Sequence, residues 1–129
     1  RGGTAGMKFK IPGKLPGTNE IIAAAKQGEG KYQPYALMKE EYTSMVAWLA
    51  KKMPQYGRVA LVITWYEPDR RRDPDNIMGG QKFILDGLVM AGTIPDDSQK
   101  HIHSIAHKFE VDRENPRVEV EIKEQMGEK

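Results

Sequence analysis

The run RVALVITWYE, residues 58–67, restricts what this chain can fold into more than any other stretch. It is almost continuously apolar and rich in β-branched and aromatic side chains, a composition that suits a pleated, packed surface. With no polar alternate along its length, it predicts an interior strand covered on both faces. Such a strand needs neighbours for its backbone, and three further segments offer them. MKFKIPG (7–13) alternates Met7, Phe9 and Ile11 with Lys8 and Lys10. HIHSIAHKFEVD (101–112) places His103, Ile105, His107, Phe109 and Val111 on one face, and RVEVEIK (117–123) sets Val118, Val120 and Ile122 against Glu119 and Glu121. The RENP between the last two predicts a hairpin.

Between these strands the apolar period becomes helical. PYALMKEEYTSMVAWLAKKMP (34–54) carries Met38, Tyr42, Met45, Val46, Leu49 and Met53 at helical spacing, and Pro54 ends it. Core packing accounts for that stripe better than a cofactor box does. A second helix runs from about Gln81 to Ala91. Ile84, Leu88 and Ala91 form one stripe, with Lys82 and Asp86 on roughly the opposite side. Phe83, Val89 and Met90 fall outside the stripe, which predicts cover from a second direction, with a second subunit as the candidate. Residues 14–34, rich in Gly, Pro and Lys, are mostly irregular, although NEIIAAAK suggests a short helix. So long a basic connection points to function, or to disorder when free. AGTIPDDSQ (91–99) reads as a loop. The order β-α-β-α-β-β predicts an α+β fold: a single small domain with a mixed β-sheet and helices packed on it.

A length of 129 residues agrees with one domain. RGGTAG ahead of Met7 has no apolar segment and reads as a cloning remnant rather than a signal peptide, which makes 7–129 the domain itself. With no cysteine, disulfides and thiolate metal sites are excluded, and a cytoplasmic setting is expected. No run approaches the ~20 apolar residues that span a bilayer, so no membrane association is expected. The last twenty residues hold seven of the eighteen acids and four of the twenty bases. The first 109 therefore carry sixteen bases against eleven acids, a balance compatible with a polyanionic partner.

The chemistry concentrates in RRRDPDN (70–76). If the chain stays extended there, Asp73 and Asp75 present both carboxylates to one side, and the two repel. A hard divalent cation relieves that repulsion and prefers oxygen ligands, commonly Mg²⁺ or Mn²⁺. The alternative is that Asp73 caps a helix with Pro74 at its first position. Asp96 and Asp97 lie beyond the helix that begins after Asp75. If the chain folds back, Asp97 joins Asp73 and Asp75 around one or two ions. Three carboxylates flanked by Arg70, Arg71 and Arg72 match the needs of phosphodiester hydrolysis, in which metal activates water and basic side chains bind the anionic backbone. Lys82 either reaches the scissile phosphate or simply pairs with Asp86 on the surface.

RRRDPDN, followed by Lys82, Asp86 and Leu88 and then by DDSQ, resembles the RusA-type Holliday-junction resolvases, small endodeoxyribonucleases typical of phages and prophages. The resemblance covers most of the chain, including the early strand with the loop LPGTNE, the long helix and the strand leading into the motif. It implies a RusA-like fold and a homodimer that makes paired cuts across branched DNA, a four-way junction, with Mg²⁺ or Mn²⁺. It assigns metal ligation to Asp73, Asp75 and Asp97, with Asp96 in support, and the catalytic lysine to Lys82. NIMGGQK holds three more residues between Asn76 and the lysine than the family pattern, and the four-residue step from Lys82 to Asp86 fixes the alignment. Lys14, Lys31 and the three arginines would hold the DNA backbone, and Asn19 would touch DNA in the early loop.

Other signals carry less. His101 and His103 form an H-x-H continued by His107, but their apolar neighbours predict hydrogen-bonded or partly buried rings rather than a metal site. No serine sits in a G-x-S-x-G setting, and no Walker-type loop is present, so no nucleotide cofactor is expected. Three functions remain open: the metal-dependent junction endonuclease, a junction-binding dimer that does not cleave, and a metal phosphodiesterase for small substrates.

Overall fold

The structure is a computed structural model that describes residues 6–27 and 33–125. The chain runs β1 (Met7–Pro12), α1 (Thr18–Lys26), α2 (Pro34–Ala50), β2 (Val59–Glu67), α3 (Pro74–Met78), α4 (Gln81–Met90), β3 (Ile102–Val111) and β4 (Arg117–Glu124). The strands form one mixed sheet in the order β1-β4-β2-β3. β2 is parallel to β3 and antiparallel to β4, which is itself antiparallel to β1. This is the expected α+β domain. A parallel pair needs a crossover, and α3 and α4 supply it.

The expected hairpin between the last two strands does not form. β4 lies on the far side of β2, next to β1, so that the most apolar strand gains partners along both edges. Residues 112–116 make the step past the end of β2. There the Asp112 amide donates to Glu67 O at 2.8 Å, and Arg117 Nη1 donates to Asp112 Oδ2 at 2.7 Å.

The double-sided cover expected of β2 also needs correction. Its inward residues Val59, Leu61, Ile63, Trp65 and Glu67 are all buried, whereas the alternate residues are only half-buried. Lys8, Lys108, Glu110, Glu119 and Glu121 surround Val62, Thr64 and Tyr66 on that second face, and the Arg117 guanidinium lies 3.7 Å from the Tyr66 ring centre. Long charged side chains shield this face with their stems, so the strand tolerates an apolar run without a second helical layer.

The core joins β2 and β4 to Val46 and Ala50 of α2 and Ile84 and Leu88 of α4. Phe83, fully buried, packs against Tyr42 with ring centres 5.6 Å apart. The second apolar side of α4 is therefore covered by α2 of the same chain, while Met90 stays exposed. Close approach of the two helices depends on Gly87, where a Cβ would fall 2.6 Å from Val46 Cβ. α2 stops at Ala50, earlier than Pro54 suggests. The Lys51 and Met53 amides bond three residues back, tightening the end of the helix.

Candidate active site

β2 ends on Glu67, whose inward position buries a carboxylate at 6% exposure. Arg72 answers it with a two-pronged contact, Nε to Oε1 at 3.1 Å and Nη2 to Oε2 at 2.8 Å. This bond with Glu67 holds the Arg72 guanidinium above its ordinary pKa. Its Nη1 reaches Leu15 O at 3.5 Å and lies 3.7 Å from Glu20 Oε1. Arg72 thus ties the loop after β2 to the loop after β1, and of the three arginines it is the one occupied within the protein. Arg71 is exposed and loosely paired with Asp69 at 3.8 Å. Arg70 and Lys14, both exposed, have no ion-pair partner among the described residues.

Beyond the arginines the chain does not remain extended. Asp73 is the N-cap residue of α3 with Pro74 in the first turn, although its carboxylate makes no capping hydrogen bond. Asp75 therefore sits inside a helical turn, and of the two arrangements the sequence leaves open it is the helix start at Asp73–Pro74, not the shared strand face, that forms. The Asp75 carbonyl accepts from Thr18 Oγ1 at 3.3 Å, and Asn76 Oδ1 accepts from the Asn19 amide at 2.9 Å. α1 and α3 are clamped start to start by these bonds. Asn76, last residue of the D-x-D-N motif, has a tertiary role that its local sequence does not reveal, because its partner is fifty-seven positions away. Lys31 lies outside the described residues.

Of the residues between Asn76 and Lys82, Gly79 and Gly80 matter for the side chains they lack. Gly79 and Gly80 both have helical dihedrals, so the chain winds almost continuously from α3 into α4. A Cβ on Gly79 would meet the Thr18 backbone, 2.9 Å from its Cα, and one on Gly80 would lie 2.9 Å from Leu15 Cβ. Lys82 projects from the first turn of α4, partly exposed, with Nζ 3.9 Å from Asp86 Oδ2. That distance allows charge attraction without a hydrogen bond. Asp86 Oδ2 and Thr43 Oγ1 are both buried without a hydrogen-bond partner, and both residues line a cleft shared with Lys39, Asp96 and Asp97.

In the second acidic pair the two residues divide their tasks. Asp96 Oδ1 accepts from the Ser98 amide at 2.9 Å, and Oδ2 faces His101 Nε2 at 3.8 Å. Bonding to Ser98 is the main reason its carboxyl sits below the usual range. Asp97 is exposed beside Gln81, Leu85 and His103. Among the described residues Asp69, Asp86, Asp96 and Asp112 are each bonded or ion-paired within the chain, whereas the carboxylates of Asp73, Asp75 and Asp97 are not.

The structure does not gather those three acids. Asp73 and Asp75 follow the carboxyl end of β2, and Asp97 precedes the amino end of β3. Because β2 and β3 are parallel, those strand ends lie at opposite ends of the pair, although the loop bearing Asp97 folds back beside Gln81, Leu85 and Ile105. No group of three acids or histidines able to hold a metal occurs among the described residues. The fit to a hard divalent cation is one of donor chemistry, not of assembled geometry.

His101 and His107 are hydrogen-bonded and partly buried as the sequence suggests, whereas His103 is not. His101 Nδ1 lies 2.6 Å from Gly57 O, His103 is exposed, and His107 accepts from Trp65 Nε1 at 2.9 Å. Burial holds His107 below the ordinary histidine value of 6.5. Its unfolded form takes up a proton that its folded form refuses, so its contribution to stability is complete above that value and declines as pH falls through it. Urea midpoints are expected to be lower at ~pH 5 than at ~pH 8. Midpoints that rise toward acid pH would contradict this.

Fold and site define a small α+β domain that exposes free carboxylates beside free cations, the residue types that hydrolysis within a polyanion requires. Residues 16–123 match the family model for endodeoxyribonuclease RusA. The chain belongs to the RusA endodeoxyribonuclease family. No individual curated protein matches the chain. No helix among the described residues is long and apolar enough to cross a membrane.

Proposed function

We propose that this protein is a metal-dependent, structure-selective endodeoxyribonuclease that resolves Holliday junctions as a homodimer, each subunit cutting one strand. The observation that carries the reading is the selectivity of carboxylate engagement. Among the described residues Asp73, Asp75 and Asp97 have no protein partner while the neighbouring aspartates do. An exposed carboxylate without a partner remains available to an external cation, and these three are the positions on which the family resemblance places metal ligation.

Mg²⁺, with Mn²⁺ able to substitute, would activate the attacking water and stabilise the leaving oxygen. Arg70 and Lys14, exposed and unpaired, would attract the DNA backbone, with Arg71 in reserve because its contact with Asp69 is weak. Asn19 is exposed with its backbone amide held by Asn76, which leaves its side chain free for DNA. Lys82 would approach the scissile phosphate from the start of α4.

The test is incubation with a synthetic four-way junction and Mg²⁺, alongside Asp75→Asn and a chelated control. Paired nicks by the natural protein alone are expected. No nicks, or full activity in the variant or with chelator, would overturn the reading. The absence of a three-acid metal group among the described residues favours a second reading, a junction-binding dimer that does not cleave. The same assay detects it as a junction complex without nicks.

A further inference from the structure

Gln81 opens α4, one residue before Lys82. The start of this helix has no side-chain cap. Its N-cap residue is Gly80, which has no side chain to cap with, and the Lys82 amide reaches only Gly79 O at 3.4 Å. A restraint arrives instead from the sheet. His107 Nε2, on β3, lies 2.9 Å from Gln81 Oε1, while His107 Nδ1 lies 2.9 Å from Trp65 Nε1 on β2.

The direction of these bonds follows from chemistry. An indole N–H only donates, so Nδ1 must present its lone pair. The ring is then the neutral tautomer with its proton on Nε2, from which it donates to Gln81 Oε1. The imidazole lies nearly coplanar with the indole it accepts from, 13° between the planes with centres 6.0 Å apart, and runs near-parallel to Phe109 with centres 6.4 Å apart. Trp65 is 1% exposed and belongs to the core. The relay therefore runs from the most rigid part of the sheet to the first turn of α4.

We propose that His107 is a positioning residue: through Gln81 it fixes the first turn of α4 and so the direction in which Lys82 projects. The proposal rests on the reading of Lys82 as the residue that meets the scissile phosphate. Its physical basis is the preceding Gly79–Gly80 segment, which offers the helix start no side-chain anchor of its own. Fixing a reacting group within a fraction of an ångström changes rate far more than it changes substrate affinity.

Two substitutions split the relay. His107→Asn places an amide oxygen near the position of Nδ1 and can still accept from Trp65, but it falls short of Gln81. His107→Gln extends an amide toward Gln81 and leaves the buried Trp65 N–H without its acceptor. Stability should therefore rank His107→Asn above His107→Gln. Single-turnover cleavage of a four-way junction should rank them the other way, with His107→Asn and Gln81→Ala about tenfold slow at unchanged junction affinity. Amide exchange at residues 81–85 should quicken in His107→Asn and Gln81→Ala and stay near the natural rate in His107→Gln. Cleavage that follows stability, or unchanged exchange in His107→Asn, would overturn the proposal. Cleavage at the natural rate by Lys82→Ala would instead overturn the reading of Lys82, and with it the service of the relay to the reaction, even where the exchange results hold.

Discussion

Asp97→Asn is expected to slow junction cleavage by ~10³-fold, while Asp96→Asn, one residue earlier, retains most of it. The magnitude is what several kcal/mol of lost transition-state charge stabilisation produces when a metal-binding carboxylate becomes an amide. The contrast comes from the bonding of the two residues. Asp96 holds the loop by accepting from the Ser98 amide, a bond that an asparagine oxygen can also accept. Asp97 has no such bond among the described residues and would serve only what arrives from outside. Initial rates of junction nicking in Mg²⁺, with complex formation measured in parallel, decide the matter. Equal losses in the two variants would remove the distinction between a loop-holding acid and a catalytic one.

The second large effect is on stability. Arg72→Met is expected to destabilise the fold by about 3–5 kcal/mol, because it strands the buried Glu67 carboxylate without its partner. Against a typical domain stability of ~5–15 kcal/mol, this is enough to shift the unfolding midpoint far into weak denaturant. Arg72 also bonds Leu15 O, so the same variant should loosen the loop that carries Lys14 and Asn19. The control is the double variant Glu67→Gln with Arg72→Met, which removes both charges and should recover part of the loss. Urea or guanidinium titration measures each. A single variant within ~1 kcal/mol of the natural protein would show that Glu67 finds another partner or water.

These two expectations rest on residues that look alike in sequence. Arg70, Arg71 and Arg72 are consecutive, and so are Asp96 and Asp97, yet each set divides into members that hold the fold and members that face solvent. Composition marks the charged loops but cannot divide them, because the division depends on which side chain finds a partner distant in sequence. Arg72 is structural because β2 directs Glu67 inward at its end. A reader of the sequence could have suspected this from the inward alternation that runs through Trp65 to Glu67. Asn76 gave no comparable signal, since its partner is an amide in α1.

The four strands, the two longer helices, the short helix within residues 14–34 and the acid- and arginine-rich loops were legible in the sequence. Apolar period, proline and turn chemistry are local properties, and the family resemblance added the nature of the substrate. Tertiary structure decided strand order, with β4 inserted between β1 and β2 where a hairpin with β3 was expected. It decided that α2 of the same chain covers Phe83, and that Asp73, Asp75 and Asp97 form no three-acid group among the described residues. Strand pairing and side-chain partnership are choices among distant alternatives of similar local energy. They are settled by how the whole core closes around β2, which no short stretch of the chain encodes by itself.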